Sequence, residues 1–291
     1  MNELIASLIK DGPVLTDGSW GSLMLKQGLE VGAAPDSWNL TAPDKVEEIA
    51  RQYVDAGSRI ILTNTFGSNR FVLGKFGMAD KVAELNKRGV EISKKAAKGR
   101  AYVFASIGPS GKLLITKDVT EDDLKEAFEE QAAALAAAGA DAIVVETMMD
   151  LNEARIAAVA AKKTGLPVIA CLVFDAGKNK DRTMIGNTIE QAVEVLTGVG
   201  VDGIGANCGQ GIEGFIPICK RMRSATTLPL WMKPNAGSPE IIDGQTVYST
   251  SAQDFVRHVP HLIEAGANFI GGCCGTDREF IIQTGNALKN I

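Results

Sequence analysis

Three of the five cysteines in this 291-residue chain are arranged so that they could hold a metal ion. Cys208 ends one short apolar run, and the adjacent pair Cys273 and Cys274 ends another, about 65 residues later. If the two runs are strands of one sheet, all three thiols lie at the same edge of that sheet. Three thiolates with a vacant fourth position are typical of a catalytic zinc site. The sequence therefore predicts one zinc ion per chain at these residues, which we call the rim cysteines.

Cys273 and Cys274 can bind one metal only if the backbone departs from strand geometry, because neighbouring residues of a strand point to opposite faces. Gly271, Gly272 and Gly275 give the backbone that freedom.

Two other interpretations of the cysteines are possible. Free cysteine is often a small buried apolar residue, and this is the interpretation we favour for Cys171 and Cys219. The glycine-rich segment 271–276 could instead hold a phosphate through backbone N–H groups, but that task does not call for paired thiols. An odd number of cysteines, two of them adjacent, does not favour a disulfide framework.

Polar residues stand at the carboxyl ends of the other apolar runs. The candidates for substrate binding are Asp17, Asn64, Ser106, Glu146 and Asn235. Asp17 and Glu146 together form an acidic wall suited to an ammonium group. Taken singly, Asp17 could only cap a turn, Glu146 could pair with a neighbouring cation, and the two asparagines could be turn formers.

A repeated sequence pattern predicts the helices and strands that position these residues. Four times, a helical pattern ends in a glycine and is followed within a few residues by a short apolar run. The glycines are Gly57, Gly139, Gly200 and Gly266. Glycine adopts the left-handed helix cap without a steric penalty, so each one marks a loop between a helix and a strand.

Four further apolar runs bring the number of predicted strands to eight. The eight predicted strands are residues 13–17, 60–64, 102–107, 142–146, 167–174, 204–208, 228–234 and 269–273. Short apolar strands alternating with helices indicate a parallel sheet. Eight such units in 291 residues predict an α/β fold, a single-domain (βα)8 TIM barrel over residues 1–291 with its chemistry at the carboxyl ends of the strands.

Composition excludes several classes of function. The formal net charge of −5 disfavours nucleic acid and anionic membranes as partners. No apolar run approaches the length of a membrane span, and the first residues lack the pattern of a secretory leader. We therefore expect a cytoplasmic protein.

Seven motifs in order resemble the homocysteine S-methyltransferase family, and most of all the homocysteine-binding domain of cobalamin-dependent methionine synthases. They are Asp17-Gly18, Thr63-Asn-Thr-Phe-Gly67, Gly108-Pro-Ser-Gly111, Glu146-Thr147, Asn207-Cys-Gly209, Pro234-Asn-Ala-Gly237 and Gly271-Gly-Cys-Cys-Gly-Thr276. The resemblance implies that the rim cysteines bind zinc and activate the thiol of homocysteine for methyl transfer. It also implies that Asp17 and Glu146 hold the amino group of homocysteine, and that Asn235 is a fourth zinc ligand while the site is empty.

The methyl donor is less clearly indicated. The chain has no D-x-H-x-x-G cobalamin motif, so methylcobalamin is expected only through a corrinoid partner protein. Trp38 resembles a tryptophan of family members that use S-methylmethionine or betaine, and Met148 stands where the family often has an aromatic residue. A small cationic donor held by Trp38 is therefore the second hypothesis. A zinc-binding barrel without turnover is the third.

Overall fold

The computed structural model describes residues 2–242 and 245–289. Its strands, in chain order, are β1 (Val14–Leu15), β2 (Ile60–Leu62), β3 (Tyr102–Ile107), β4 (Ala142–Met148), β5 (Val168–Leu172), β6 (Gly203–Gly211), β7 (Leu230–Asn235), β8 (Pro239–Ile242), β9 (Gln245–Tyr248) and β10 (Phe269–Ile270). All except β8 and β9 belong to one parallel sheet, in the order β1-β10-β7-β6-β5-β4-β3-β2. The sheet is a nearly closed barrel, which confirms the predicted (βα)8 fold.

Most helices cover the outside of the barrel, whereas Ile5 and Leu8 of the first helix pack with the side chains that fill its interior. The helices are α1 (Glu3–Ile9), α2 (Gly21–Lys26), α3 (Trp38–Thr41), α4 (Pro43–Asp55), α5 (Arg70–Gly74), α6 (Val82–Ala97), α7 (Glu121–Ala137), α8 (Leu151–Lys162), α9 (Ile189–Val199), α10 (Ile212–Ala225), α11 (Ala252–Arg257), α12 (Val259–Glu264) and α13 (Arg278–Leu288). None of the helices in these described ranges is both long and apolar enough to cross a bilayer.

The gap between β1 and β2 is bridged by hydrogen bonds rather than by a regular ladder. The backbone N–H of Arg59 donates to the carbonyl oxygen of Leu15 at 2.9 Å. Further up, the N–H of Leu62 donates to the carboxylate of Asp17 at 2.7 Å, so a side chain takes the place of a backbone acceptor. Asp17 is thus part of the barrel wall as well as of its rim.

The helix ends follow the sequence signals. Gly57, Gly139, Gly200 and Gly266 all have positive φ, between 80° and 107°, which confirms the predicted left-handed caps. The amino terminus of α7 is stabilised by a reciprocal capping box, in which Thr120 and Asp123 each bond the other's backbone N–H.

Aromatic side chains fill the barrel below its carboxyl rim. Trp231 stacks on Phe104 with ring centroids 6.1 Å apart and lies 5.3 Å from Phe269. All three are fully buried. Residues two positions further along the same strands point to the same interior and therefore form the floor of the rim site.

The structure corrects the predicted strands at two places. β1 and β10 are only two residues long, so the polar residues that follow them lie in loops. The antiparallel hairpin of β8 and β9 has no counterpart in the eight-strand prediction. It stands between β7 and α11, on the carboxyl side of the barrel.

Candidate metal centre and acceptor site

The rim cysteines converge, although Cys208 lies on β6 and the other two lie in the loop after β10, about 65 residues later in the chain. The sulfurs of Cys208 and Cys274 are 3.8 Å apart, and all three sulfurs lie within 4.8 Å of one another. A tetrahedral zinc with Zn–S distances of about 2.3 Å separates its sulfur ligands by about 3.8 Å. The cluster has the size of such a site, and each thiol is half-buried.

Cys208 reaches the cluster through an unusual backbone conformation. Its φ is 63°, in the left-handed region, and the φ of Gly209 is 80°. The register between β6 and β7 shifts over the same segment. A non-glycine residue with positive φ costs about 1–3 kcal/mol and is found mostly where function requires it.

Cys273 and Cys274 lie beyond the end of β10 at Ile270, so the backbone does leave strand geometry, as predicted. Of the three flanking glycines, only Gly275 has a positive φ, of 81°. A Cβ on Gly271 would overlap Thr16 and Asp17, and one on Gly272 would overlap Thr276. These two glycines are thus needed for close approach and not, as predicted, for backbone freedom.

Each thiol of the cluster holds its proton more tightly than an ordinary cysteine. Contact with Cys273 lowers the pKa of Cys208, but contact with Cys274 and burial outweigh this and raise it to about 12. Contact with Cys208 lowers the pKa of Cys274, and Cys273 and burial raise it overall, also to about 12. Thiolates this close together repel one another, and a cation bound among them would favour their deprotonated form.

Asn235 offers a further ligand atom beside the cluster. It is 2% exposed, and its side-chain oxygen has no hydrogen-bond partner among the described residues. Its neighbours in the chain bond the cysteine loop: the N–H of Cys273 donates to the carbonyl of Pro234 at 2.7 Å, and the N–H of Ala236 donates to the carbonyl of Cys274 at 2.9 Å. A buried oxygen without a partner is costly, and a metal ion would satisfy it.

Glu146 stands at the end of β4 in a network of hydrogen bonds. Its Oε1 accepts from the hydroxyl of Ser106 at 2.5 Å. Asn207 donates weakly to its Oε2, at 3.4 Å, and also lies 3.8 Å from the sulfur of Cys273. Burial raises the pKa of Glu146, while Lys233 and Ser106 partly offset that effect. Ser106 therefore orients Glu146, and Asn207 connects Glu146 to the rim cysteines.

Asp17 is paired with a residue that sequence reasoning missed. The ammonium group of Lys233 on β7 forms an ion pair with Asp17, and both side chains are almost fully buried. The other carboxylate oxygen of Asp17 accepts from Trp20 Nε1 at 2.8 Å and from the N–H of Leu62. Because lysine is rarely buried without a partner, a lysine within the apolar run 228–234 was a usable signal.

Asn64 and Trp38 serve the loop after β1. The side-chain amide of Asn64 donates to the carbonyl of Pro35 and to Asn39, both at 2.9 Å. Trp38 is 8% exposed and packs in an apolar cluster with residues of α2 and α4. The ammonium of Lys45 lies 4.7 Å from the centre of its ring. Both residues position this loop, and a substrate role for either stays a prediction.

Two more residues bear on the predicted pocket. Met148 is fully buried in the layer between the sheet and the helices, so it does not form a wall of the mouth. Tyr248 on β9 is half-buried, and its ring lies against Gly275, the residue after Cys274. Burial and the nearby thiols raise its pKa. Nothing in the sequence indicated that a hairpin would carry it there.

Cys171 and Cys219 are fully buried among apolar side chains, which confirms that they are core residues. The two remaining thiols are therefore separate from the rim cluster.

The fold and the site together define a (βα)8 barrel with a candidate metal centre at the carboxyl ends of its strands. Residues 14–288 match the family model described as homocysteine S-methyltransferase. The chain therefore belongs to the homocysteine S-methyltransferase family, which confirms the resemblance seen in its motifs.

The chain is similar to curated proteins of one kind and to solved structures of another. The chain is 28% identical to the methionine synthases of Mycobacterium tuberculosis and Mycobacterium leprae, over 98% and 97% of its own length. It spans only about a quarter of the length of those proteins, 25% and 24%. Among solved structures it resembles the homocysteine methyltransferase MmuM from Escherichia coli, in an oxidized form at 21% identity and a metallated form at 20%. Both match with a TM-score of 0.81 over 97% of this chain and 99% of that one.

Proposed function

We propose that this chain binds one zinc ion through Cys208, Cys273 and Cys274 and transfers a methyl group to the thiol of homocysteine, forming methionine. The observation that carries the proposal is the convergence of three sulfurs within 4.8 Å at the carboxyl rim of the barrel. An amide oxygen without a partner on Asn235 supplies a fourth donor for the empty site. This donor set suits zinc better than hard cations, which prefer oxygen ligands only.

When bound, the metal supplies the acceptor sulfur in its thiolate form, which is the nucleophile for methyl transfer. The chain's own residues then have to hold the rest of the acceptor. Glu146 is the carboxylate best suited to its amino group, because its Oε2 has only a weak protein donor. Ser106 and Asn207 fix the orientation of that carboxylate. The ring of Tyr248 lies against Gly275, next to the rim cysteines.

We further propose that the methyl group comes from a methylated corrinoid protein that docks over the carboxyl rim. Large apolar side chains are exposed mainly there. In the described part of the chain, ten exposed large apolar residues lie on segments that follow a barrel strand: Leu25, Val31, Phe66, Phe76, Ile115, Met149, Met184, Ile185, Ile241 and Val247. The two exceptions are Tyr102 and Val159. Apolar groups gathered around one opening are typical of a surface that binds a macromolecule.

The surroundings of Trp38 favour this donor over a small cation. A sulfonium or quaternary ammonium donor needs the open face of an aromatic ring. Trp38 is buried in an apolar cluster, and Lys45 already places a cation over its ring. The ring is therefore poorly available to S-methylmethionine or betaine.

One experiment separates the three hypotheses. Zinc-loaded protein and homocysteine are offered a methylated corrinoid protein, free methylcobalamin, S-methylmethionine or betaine, and methionine is measured. We expect the corrinoid protein to be the most efficient donor. Efficient methionine formation from either small cation, lost in Trp38→Ala, would establish the second hypothesis instead. Stoichiometric zinc without methionine from any donor would establish the non-catalytic barrel.

Surface variants test the docking step. Val31→Glu and Ile115→Glu place charges on two of the most exposed apolar positions of the rim, at 94% and 75% exposure. Both should slow transfer from the corrinoid protein and leave transfer from free methylcobalamin unchanged. Val159→Glu, on the outer face of α8, is the matched control and should change neither rate. Equal rates in all three variants with the corrinoid protein would exclude docking at this rim.

A further inference from the structure

The floor of the acceptor site contains an ammonium group of its own. Lys233 lies on β7 two residues after Trp231, so its side chain points into the barrel like that of Trp231. In the parallel ladder its register partner is Asn207, which contacts both Glu146 and Cys273. The ion pair with Asp17 holds the Lys233 ammonium at this level, beneath the rim cysteines.

The carboxylate of Asp17 has little capacity left for a substrate. One oxygen is paired with Lys233, and the other accepts from Trp20 Nε1 and from the N–H of Leu62. The side chain is fully buried. A substrate ammonium could reach Asp17 only by displacing Lys233, which would leave the lysine charge buried without its partner.

Glu146 is in a different position. Its Oε1 is held by Ser106, but its Oε2 has only the long contact of 3.4 Å with Asn207. The nearest cation, Lys233, is close enough to influence the pKa of Glu146 but forms no ion pair with it. Glu146 therefore keeps an oxygen that can accept a strong hydrogen bond.

We propose that Lys233 determines the acceptor specificity of this site: its ammonium occupies the place beside Asp17 that a substrate ammonium would need, so Glu146 alone binds the amino group of the thiol. This inference rests on the proposed function, because it concerns the thiol held at the rim cysteines. It implies that thiol carboxylates without an amino group, such as 4-sulfanylbutanoate, also bind here, with an affinity lower by the contribution of one charge-assisted hydrogen bond.

The test compares two thiols that differ only in the amino group. Cobalt(II)-loaded protein is titrated with homocysteine and with 4-sulfanylbutanoate, and the thiolate-to-cobalt absorption gives a dissociation constant for each. The measured quantity is the preference for homocysteine, the ratio of the two constants. One charge-assisted hydrogen bond predicts a preference of about 10-fold to 100-fold in the parent protein.

Substitution of Lys233 should increase the preference. In Lys233→Gln the charge of Asp17 becomes available to the substrate, so the preference should rise by roughly another tenfold or more. In the matched double variant Asp17→Asn/Lys233→Gln this second carboxylate is absent, and the preference should return to the parent value. Glu146→Gln alone should reduce the preference to near one. An unchanged or reduced preference in Lys233→Gln would overturn the proposal.

The design remains decisive if Lys233→Gln does not fold. A preference that survives in Glu146→Gln, or that disappears in the double variant, contradicts the proposal without it. If homocysteine produces no thiolate absorption in the parent protein, the proposed function fails and this inference fails with it. If both thiols bind through sulfur but the preferences do not follow this pattern, only the role of Lys233 is wrong.

Discussion

Replacement of Asn207 by alanine should destabilise the protein and weaken its metal site together. Asn207 is fully buried in the middle of β6. Its Oδ1 accepts from the N–H of Thr147 at 2.7 Å, and its Nδ2 donates to the hydroxyl of the same residue at 2.7 Å. Thr147 has a φ of 60°, which a β-branched residue adopts only under constraint.

The expected loss follows from these contacts. Alanine leaves the buried N–H of Thr147 without an acceptor, which costs about 1–3 kcal/mol. The cavity left by the missing amide adds roughly another 1 kcal/mol. We therefore expect Asn207→Ala to lower the free energy of unfolding by about 2–4 kcal/mol. Because Asn207 also contacts the sulfur of Cys273, zinc affinity should fall as well.

The measurements are urea unfolding of the metal-free protein and competition for zinc with a chromophoric chelator. Asn86→Ala is the matched control, because Asn86 is equally buried and donates to two backbone carbonyls far from the rim cysteines. It should lose stability but keep its zinc affinity. Thr147→Gly removes the cost of the positive φ. The double variant Asn207→Ala/Thr147→Gly should therefore lose less stability than the sum of the losses in the two single variants. A loss below about 0.5 kcal/mol in Asn207→Ala would refute the view that Asn207 constrains Thr147.

Three other predictions concern the metal, a buried acid and the barrel interior. Alanine at any one of the rim cysteines should abolish stoichiometric zinc, measured by metal analysis after purification under reducing conditions, whereas Cys171→Ala should retain it. Burial raises the pKa of Asp36 from 3.8 to about 6. At a pH between these two values, Asp36 is protonated in the folded state and ionised in the unfolded state. Stability should therefore fall by about 3 kcal/mol as the pH rises through that window, and Asp36→Asn should remove this component in urea unfolding at a series of pH values. Gly205→Ala should lower the free energy of unfolding by about 3 kcal/mol or more, because its Cβ would overlap the backbone of Trp231. The control Gly198→Ala, in the exposed part of α9, should raise it by about 0.5–1 kcal/mol. Equal shifts of the melting temperature in the two variants would contradict this prediction.

The barrel itself could be predicted because its signals are local. A helix that ends in a left-handed glycine and is followed by an apolar strand needs only about ten residues to be recognised, and Gly139 and Gly200 both show the pattern. The hairpin of β8 and β9 lacked such a signal. It is inserted between β7 and α11, outside the repeating unit of helix and strand.

The rim cysteines could be predicted from spacing alone, because a parallel barrel brings all strand ends to one side. Lys233 could not be assigned a role in the same way. Its burial depends on Asp17, 216 residues away in the chain, and on the inward direction of a single strand position. The sequence likewise did not indicate that Asp17 has an internal partner, and its role in binding a substrate ammonium stays a prediction.

The charges of the proposed site explain why such an internal cation is useful. Zinc with three thiolates carries a net charge of about −1, and an acceptor thiolate adds another negative charge. Asp17 and Glu146 would contribute two more within the same buried region if both were ionised without partners. Charges of one sign in a low-dielectric site raise the cost of forming every one of them. Burial lowers the pKa of Lys233, but the nearby Asp17 and Glu146 raise it by more than burial lowers it. The lysine therefore remains charged and offsets one carboxylate. Under the proposed function, the amino group of homocysteine would have to balance only Glu146, because Lys233 already neutralises Asp17.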